Sequence, residues 1–148
     1  MDGSTWRSLS GCRVGTYADT FCGSGERGEA CLITNSVRGL SDFYAHVLRM
    51  EPRKESASYV EFRTSAGTLA LFAAEAQEKY IPGSATLANN RSAILEFRVS
   101  DPDREYARPR DFVKWVKGPT TPPWGTRSIY FRDPEGNLVD FFAPVEAR

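Results

Sequence analysis

The chain has 148 residues, 41% of them apolar and 12% aromatic, a length that suits one domain or two small modules fused together. Nineteen basic residues balance nineteen acidic ones, which excludes the basic surplus of a nucleic-acid binder and the charge excess of an acidic tail. The longest purely apolar run, Leu69–Ala74, has six residues, far short of the roughly 20 that a membrane helix needs. The first thirty residues lack an apolar signal region. Cys12, Cys22 and Cys31 cannot all pair within one chain, and none forms C-x-x-C. A reduced, cytoplasmic protein is therefore expected.

Residues 1–28 carry Gly3, Gly11, Gly15, Gly23, Gly25 and Gly28 among many Ser and Thr, without helical or strand period. They read as a flexible arm, or as sequence upstream of the domain proper. Regular structure is expected from Glu29 onward, in one domain spanning 29–148. Ala30–Thr34 predicts a strand. Leu40, Phe43, Tyr44, Val47 and Leu48 recur at helical spacing and predict an amphipathic helix closed before Pro52. Tyr59–Thr64 alternates, with Val60 and Phe62 on one face and Tyr59, Glu61 and Arg63 on the other. A turn at Gly67 leads to a second strand, Thr68–Ala73. The polar stretch that follows reads as a linker, placed at about 81–92 between a first module at about 29–80 and a second at about 93–145.

The second module repeats the pattern. Ala93–Val99 predicts a strand with Leu95, Phe97 and Val99 on one face and Ile94, Glu96 and Arg98 on the other. Asp101-Pro102 has the form of a helix start, with Tyr106 as the helix's apolar anchor and Pro109 as its stop. Phe112–Val116 predicts a strand, residues 118–125 a rigid loop, and Thr126–Arg132 another strand. Asp133-Pro134-Glu135-Gly136 is a turn, and Asn137–Phe142 the last strand. The repeat is about 62 residues long if Cys31 is matched with Ala93.

The stretch PWGTRSIYFRDPEGNLVDFF (123–142) resembles the C-terminal module of the vicinal oxygen chelate superfamily, which includes glyoxalase I, extradiol dioxygenases and bleomycin-resistance proteins. VRGLSDFYAHVL (37–48) and LEFRVSDPDREY (95–106) resemble the openings of its two modules. The resemblance covers residues 29–145. It implies an α+β fold of two tandem βαβββ modules, whose curled mixed sheets surround a pocket.

Metal-dependent relatives bind a divalent ion through side chains on the first and last strands of the modules. Carried over, those positions fall on Glu29, Ile94 and Asp140, while the end of module one around Leu69–Phe72 is apolar. Ile94 has no lone pair to donate. His46, the only histidine, lies off the apolar stripe of its helix and is expected to face solvent. No metal or other cofactor is expected. If a divalent ion is present, Glu29 and Asp140 are its ligands.

The same mapping assigns a ligand pocket to Cys31, Ile33, Ile94, Glu96, Arg98, Trp124, Ser128, Tyr130, Asp140 and Phe142. Glu96 and Arg98 also suit simple pairing with each other or with neighbours across the sheet, and Cys31 suits a small core residue better than a nucleophile. Trp124 suits either a cap on the pocket mouth or a packed loop anchor. If Asp140 is buried near Glu96, like-charge repulsion raises one of the two pKa values. The expected protein is a metal-independent small-molecule binder acting as a homodimer, with no nucleic-acid or membrane partner. The alternatives are a metal-dependent lyase, isomerase or dioxygenase, and a non-catalytic subunit that binds another protein.

Overall fold

A computed structural model describes residues 28–145 apart from residue 109. The arm over 1–28 (save Gly28), Cys12, Cys22 and Pro109 lie outside the described residues. The elements run β1 (Glu29–Thr34), α1 (Val37–Leu48), β2 (Arg53–Ser56), β3 (Tyr59–Arg63), β4 (Thr68–Ala73) and α2 (Ala74–Tyr80). They continue with β5 (Ile94–Arg98), α3 (Pro102–Ala107), β6 (Lys114–Thr120), β7 (Thr126–Arg132) and β8 (Leu138–Pro144). They form two four-stranded mixed sheets, ordered β1-β4-β3-β2 and β5-β8-β7-β6. Each sheet has one parallel pair, β1 with β4 and β5 with β8. The fold is α+β, two copies of one βαβββ plan with the sheets left open.

Registers fix how the copies correspond. Glu29 pairs with Thr68 at the start of one parallel pair, and Ile94 with Leu138 at the start of the other. Glu29 therefore corresponds to Ile94, which corrects the sequence match of Cys31 with Ala93. By the same register Cys31 corresponds to Glu96, Ile33 to Arg98, and Ala70 to Asp140. The helix starts agree with this match. Ser36 caps α1 by accepting from the Gly39 N–H, and Asp101 caps α3 by accepting from the Arg104 N–H, with Pro102 at the first helical position. Asp101→Ala should cost about 1 kcal/mol, measured as a lowered urea midpoint at unchanged m-value.

Alternation sends one face of each sheet into a shared core. Val60, Phe62, Leu69 and Leu71 from the first sheet and Ile129, Phe131, Val139 and Phe141 from the second are all buried. The stripe of α1 (Leu40, Phe43, Tyr44, Val47) lies in the same cluster. Phe43 touches Phe131, Phe131 meets Phe141 edge-on at 5.1 Å, and Tyr44 touches Phe62. A polar clasp also links the modules: the Tyr44 hydroxyl donates to Asp133 Oδ2 at 2.7 Å, and Thr34 to Glu135 at 2.5 Å.

Several local expectations need correction. Strand β2 was not expected, because Arg-Lys-Glu-Ser has no apolar alternation and all four residues are exposed. Part of the polar stretch after β4 is helix α2, which buries none of its residues. Strand β6 starts at Lys114 and extends to Thr120, into the segment read as a loop. Tyr106 packs edge-on against Trp115 at 4.7 Å but stays 39% exposed, and the buried residues of α3 are Pro102 and Glu105, the latter held at 2.6 Å by Arg110. His46 is exposed, as expected, with its ring against Phe112.

Candidate functional site

The sheet faces turned away from the core carry the candidate residues. In the second sheet, Val139 and Phe141 pack inward, so Leu138, Asp140 and Phe142 share the other face. Register then places Ile94, Glu96 and Arg98 beside them on β5, and Ser128, Tyr130 and Arg132 beside them on β7. Asp140 sits between Glu96 on one neighbouring strand and Tyr130 on the other. Seven of the ten expected pocket residues thus fall on two adjacent strand pairs of one face (Ile94, Glu96, Arg98, Ser128, Tyr130, Asp140, Phe142).

Asp140 is 3% exposed, and its Oδ1 has no hydrogen-bond partner. Burial, then the charge of Glu96, pushes its pKa up to about 6; the Ser128 and Tyr130 hydroxyls pull it partly back. Burial also raises Glu96 and Tyr130 above their ordinary values. Glu96 and Arg98 share a face of β5 but form no ion pair with each other, although the same i,i+2 spacing on β3 brings Arg63 to Glu61 at 2.6 Å. Among the described residues neither has an ion-pair partner.

A cavity of about 350 Å³ opens beside this face, along the free edge of β5. Ile94, Leu95, Glu96, Phe97, Arg98 and Phe142 form one wall. Gly28, Ala30 and the β3–β4 turn at Thr64–Thr68 form the other. Gly67 is needed there for close approach: a Cβ on it would meet the Gly28 carbonyl oxygen at 2.9 Å, and that oxygen accepts from the Thr68 N–H. The turn carries no chemically distinctive side chain, and sequence reasoning missed it as a wall.

Cys31 and Ile33 lie on the open face of the first sheet and do not line this cavity. Cys31 is exposed and not part of the core, because Ala30 and Leu32 take the core side of β1. Partial desolvation of its sulfur by the neighbouring strand, and secondarily Glu29, raises its thiol pKa, which disfavours the nucleophilic thiolate. Trp124 is 63% exposed on the β6–β7 turn, neither lining the cavity nor packed as an anchor. Sequence reasoning also passed over polar groups on the first sheet's open face, although the alternation of β3 marked them. Tyr59 donates to Glu29 at 2.8 Å, and Arg63 pairs with Glu61 at 2.6 Å.

These residues do not fit a divalent ion. Ile94 offers no donor atom, its first-module counterpart Glu29 is engaged by Tyr59, and Ala70 stands where the first module would match Asp140. Among the described residues, no three His, Cys, Asp or Glu side chains converge.

The Glyoxalase/Bleomycin resistance protein/Dioxygenase superfamily model matches residues 28–141, and the chain belongs to that superfamily. Among solved structures it is similar to a glyoxalase/bleomycin resistance protein/dioxygenase from Nocardioides, with 24% identity and a TM-score of 0.69 over 87% of this chain and 89% of that one. It is also similar to a family enzyme from Burkholderia phytofirmans, with 19% identity and a TM-score of 0.64 over 77% and 94%. A glyoxalase-related enzyme from Fulvimarina pelagi shares 16% identity, with a TM-score of 0.64 over 80% and 87%. At these identities the likeness shows the fold. No curated protein sequence matches. No helix among the described residues is long and apolar enough to cross a membrane.

Proposed function

We propose that this chain is a metal-independent small-molecule-binding protein whose ligand sits on the open face of the second sheet, its apolar part in the cavity along β5. The observation that carries this reading is Asp140. The fold does not require a carboxylate there, since the matching position of the first module is Ala70, fully buried without any polar group. A buried carboxylate with an unpartnered oxygen costs stability, and this one lies one strand behind the cavity wall, paired in register with Glu96, which lines it. Phe142, Leu95 and Phe97 supply apolar walls; Glu96, Arg98 and Tyr130 supply polar contacts at the edge. Cys31 and Ile33 extend the surface onto the first sheet, and Trp124 stands outside it.

Superfamily membership also admits a divalent-metal enzyme, a lyase, isomerase or dioxygenase with Glu29 and Asp140 as ligands. The donor set argues against it. A homodimer in a reducing, cytoplasmic setting belongs to the same proposal, and sedimentation equilibrium checks the dimer.

Chelator-treated protein should show melting shifts with members of a small-molecule library and none with Mn²⁺, Ni²⁺ or Zn²⁺. Ile94→Trp, which fills the cavity from its exposed wall, should abolish the small-molecule shifts and leave the unliganded melting temperature within a few degrees. Near-stoichiometric metal in protein purified without chelator would overturn the reading.

A further inference from the structure

Two of the residues that line the cavity are charged, Glu96 and Arg98, and they carry opposite signs. Alternation along β5 puts both on the open face with Ile94, their Cα atoms roughly 7 Å apart along the strand. They do not neutralise each other, and among the described residues neither has another ion-pair partner. Spacing is not the obstacle, since Arg63 reaches Glu61 at 2.6 Å from the same separation on β3. Burial raises the pKa of Glu96, where a guanidinium in contact would lower it. The cavity wall is therefore a dipole laid along β5. Its negative end is Glu96, with Asp140 beside it in register, and its positive end is Arg98, beside Phe142. Leu69, Ile94, Leu95 and Phe142 surround the two ends with apolar surface.

We infer that the ligand of this site is a zwitterion, an ammonium and a carboxylate carried together on a compact apolar body. The inference rests on the binding reading above and names its ligand class. The ammonium donates to Glu96 and the carboxylate accepts from Arg98, so one molecule meets both unpaired charges. Hydrogen bonds between ionised partners are roughly twice as strong as neutral ones. A monocation leaves Arg98 unanswered and brings a second positive charge near it. A monoanion does the same at Glu96, and a neutral molecule answers neither. The apolar body falls against Ile94 and Phe142.

The test is titration calorimetry on the full, chelator-treated chain at pH 7.5, with a charge-sorted library of compact molecules. It includes a set of one shape: 4-(aminomethyl)benzoate as zwitterion, 4-methylbenzylamine as cation, 4-methylbenzoate as anion and 4-methylbenzyl alcohol as neutral. Zwitterions should dominate the hits. Glu96→Gln should weaken zwitterions and cations about tenfold and spare anions, whereas Arg98→Gln should weaken zwitterions and anions about tenfold and spare cations. Both side chains are exposed on the strand, so both variants keep the fold, which melting curves check. Ile94→Trp should abolish zwitterion binding by filling the cavity.

Hits that are chiefly singly charged or neutral would overturn the zwitterion assignment and leave the pocket standing. So would zwitterion binding that neither charge variant weakens. No hits of any charge, or binding that survives Ile94→Trp, would overturn the pocket as well.

Discussion

Asp140→Asn should raise the melting temperature at pH 7.5 by on the order of 10 °C, and the gain should vanish near pH 4. An unfolded aspartate ionises near 3.8, whereas burial and Glu96 hold this one at about 6 in the folded chain. Below about pH 4 both states are protonated and the difference costs nothing. Between pH 4 and 6 the unfolded chain gives up its proton first, so folding loses stability as pH rises. The loss is complete above pH 6. The gap corresponds to about 3 kcal/mol. Asparagine has nearly the same shape without the charge. Melting curves of wild type and variant from pH 4 to 8 should converge at the acid end. A variant less stable than wild type at neutral pH would show that the carboxylate is a structural element and not a cost borne for binding.

The opposite sign is expected at Asp133, seven residues away in sequence and on the other side of the sheet's function. Asp133 is 2% exposed and accepts four hydrogen bonds: from the Tyr44 hydroxyl at 2.7 Å, the Asn137 side-chain amide at 2.8 Å, and the backbone N–H groups of Asn137 and Glu135 at 2.8 and 3.0 Å. It closes the turn before β8, where Gly136 takes φ +84°, and through Tyr44 it fastens that turn to α1 of the other module. Asp133→Ala leaves several buried donors unsatisfied at about 1–3 kcal/mol each, for a total loss of about 3–5 kcal/mol. That is a large share of the roughly 5–15 kcal/mol available to a domain. Equilibrium denaturation in urea reads it directly. Asp133→Asn keeps the Oδ1 acceptor and should lose about half as much. A loss below 1 kcal/mol for the alanine variant would mean that water replaces the carboxylate.

The two aspartates differ in surroundings, and that difference was only half visible in the chain. The turn chemistry of Asp-Pro-Glu-Gly and the alternation Leu138, Asp140, Phe142 locate both residues, because φ constraints and period-2 alternation are local properties. What each carboxylate meets is not local. Tyr44 lies 89 positions from Asp133, and Glu96 meets Asp140 only once the parallel pairing of β5 with β8 is set.

The same limit explains the misses. The strand β2 carries no apolar signal because it is an exposed edge, held by pairing with β3. Tyr106 reads as a buried anchor by its type, yet it only leans on Trp115 from the surface, while the charged Glu105 is buried because Arg110 and Arg49 reach it. Cys31 reads as core by its type, yet the pleat turns it outward. The repeat length could not be fixed from spacing alone, since the two modules share few identities; only the matched strand registers and caps align them.

By itself, then, the sequence determined the strand–helix–strands repeat, the Asp101 helix cap and the open-face residues of β5 and β8, all carried by short-range periodicity and turn chemistry, and the family resemblance supplied the βαβββ plan. The tertiary structure alone decided which carboxylate is satisfied and which is not, and it built the cavity from a glycine turn in one module and a strand edge in the other. Burial, charge proximity and cavity shape depend on residues far apart in the chain, so no local pattern encodes them.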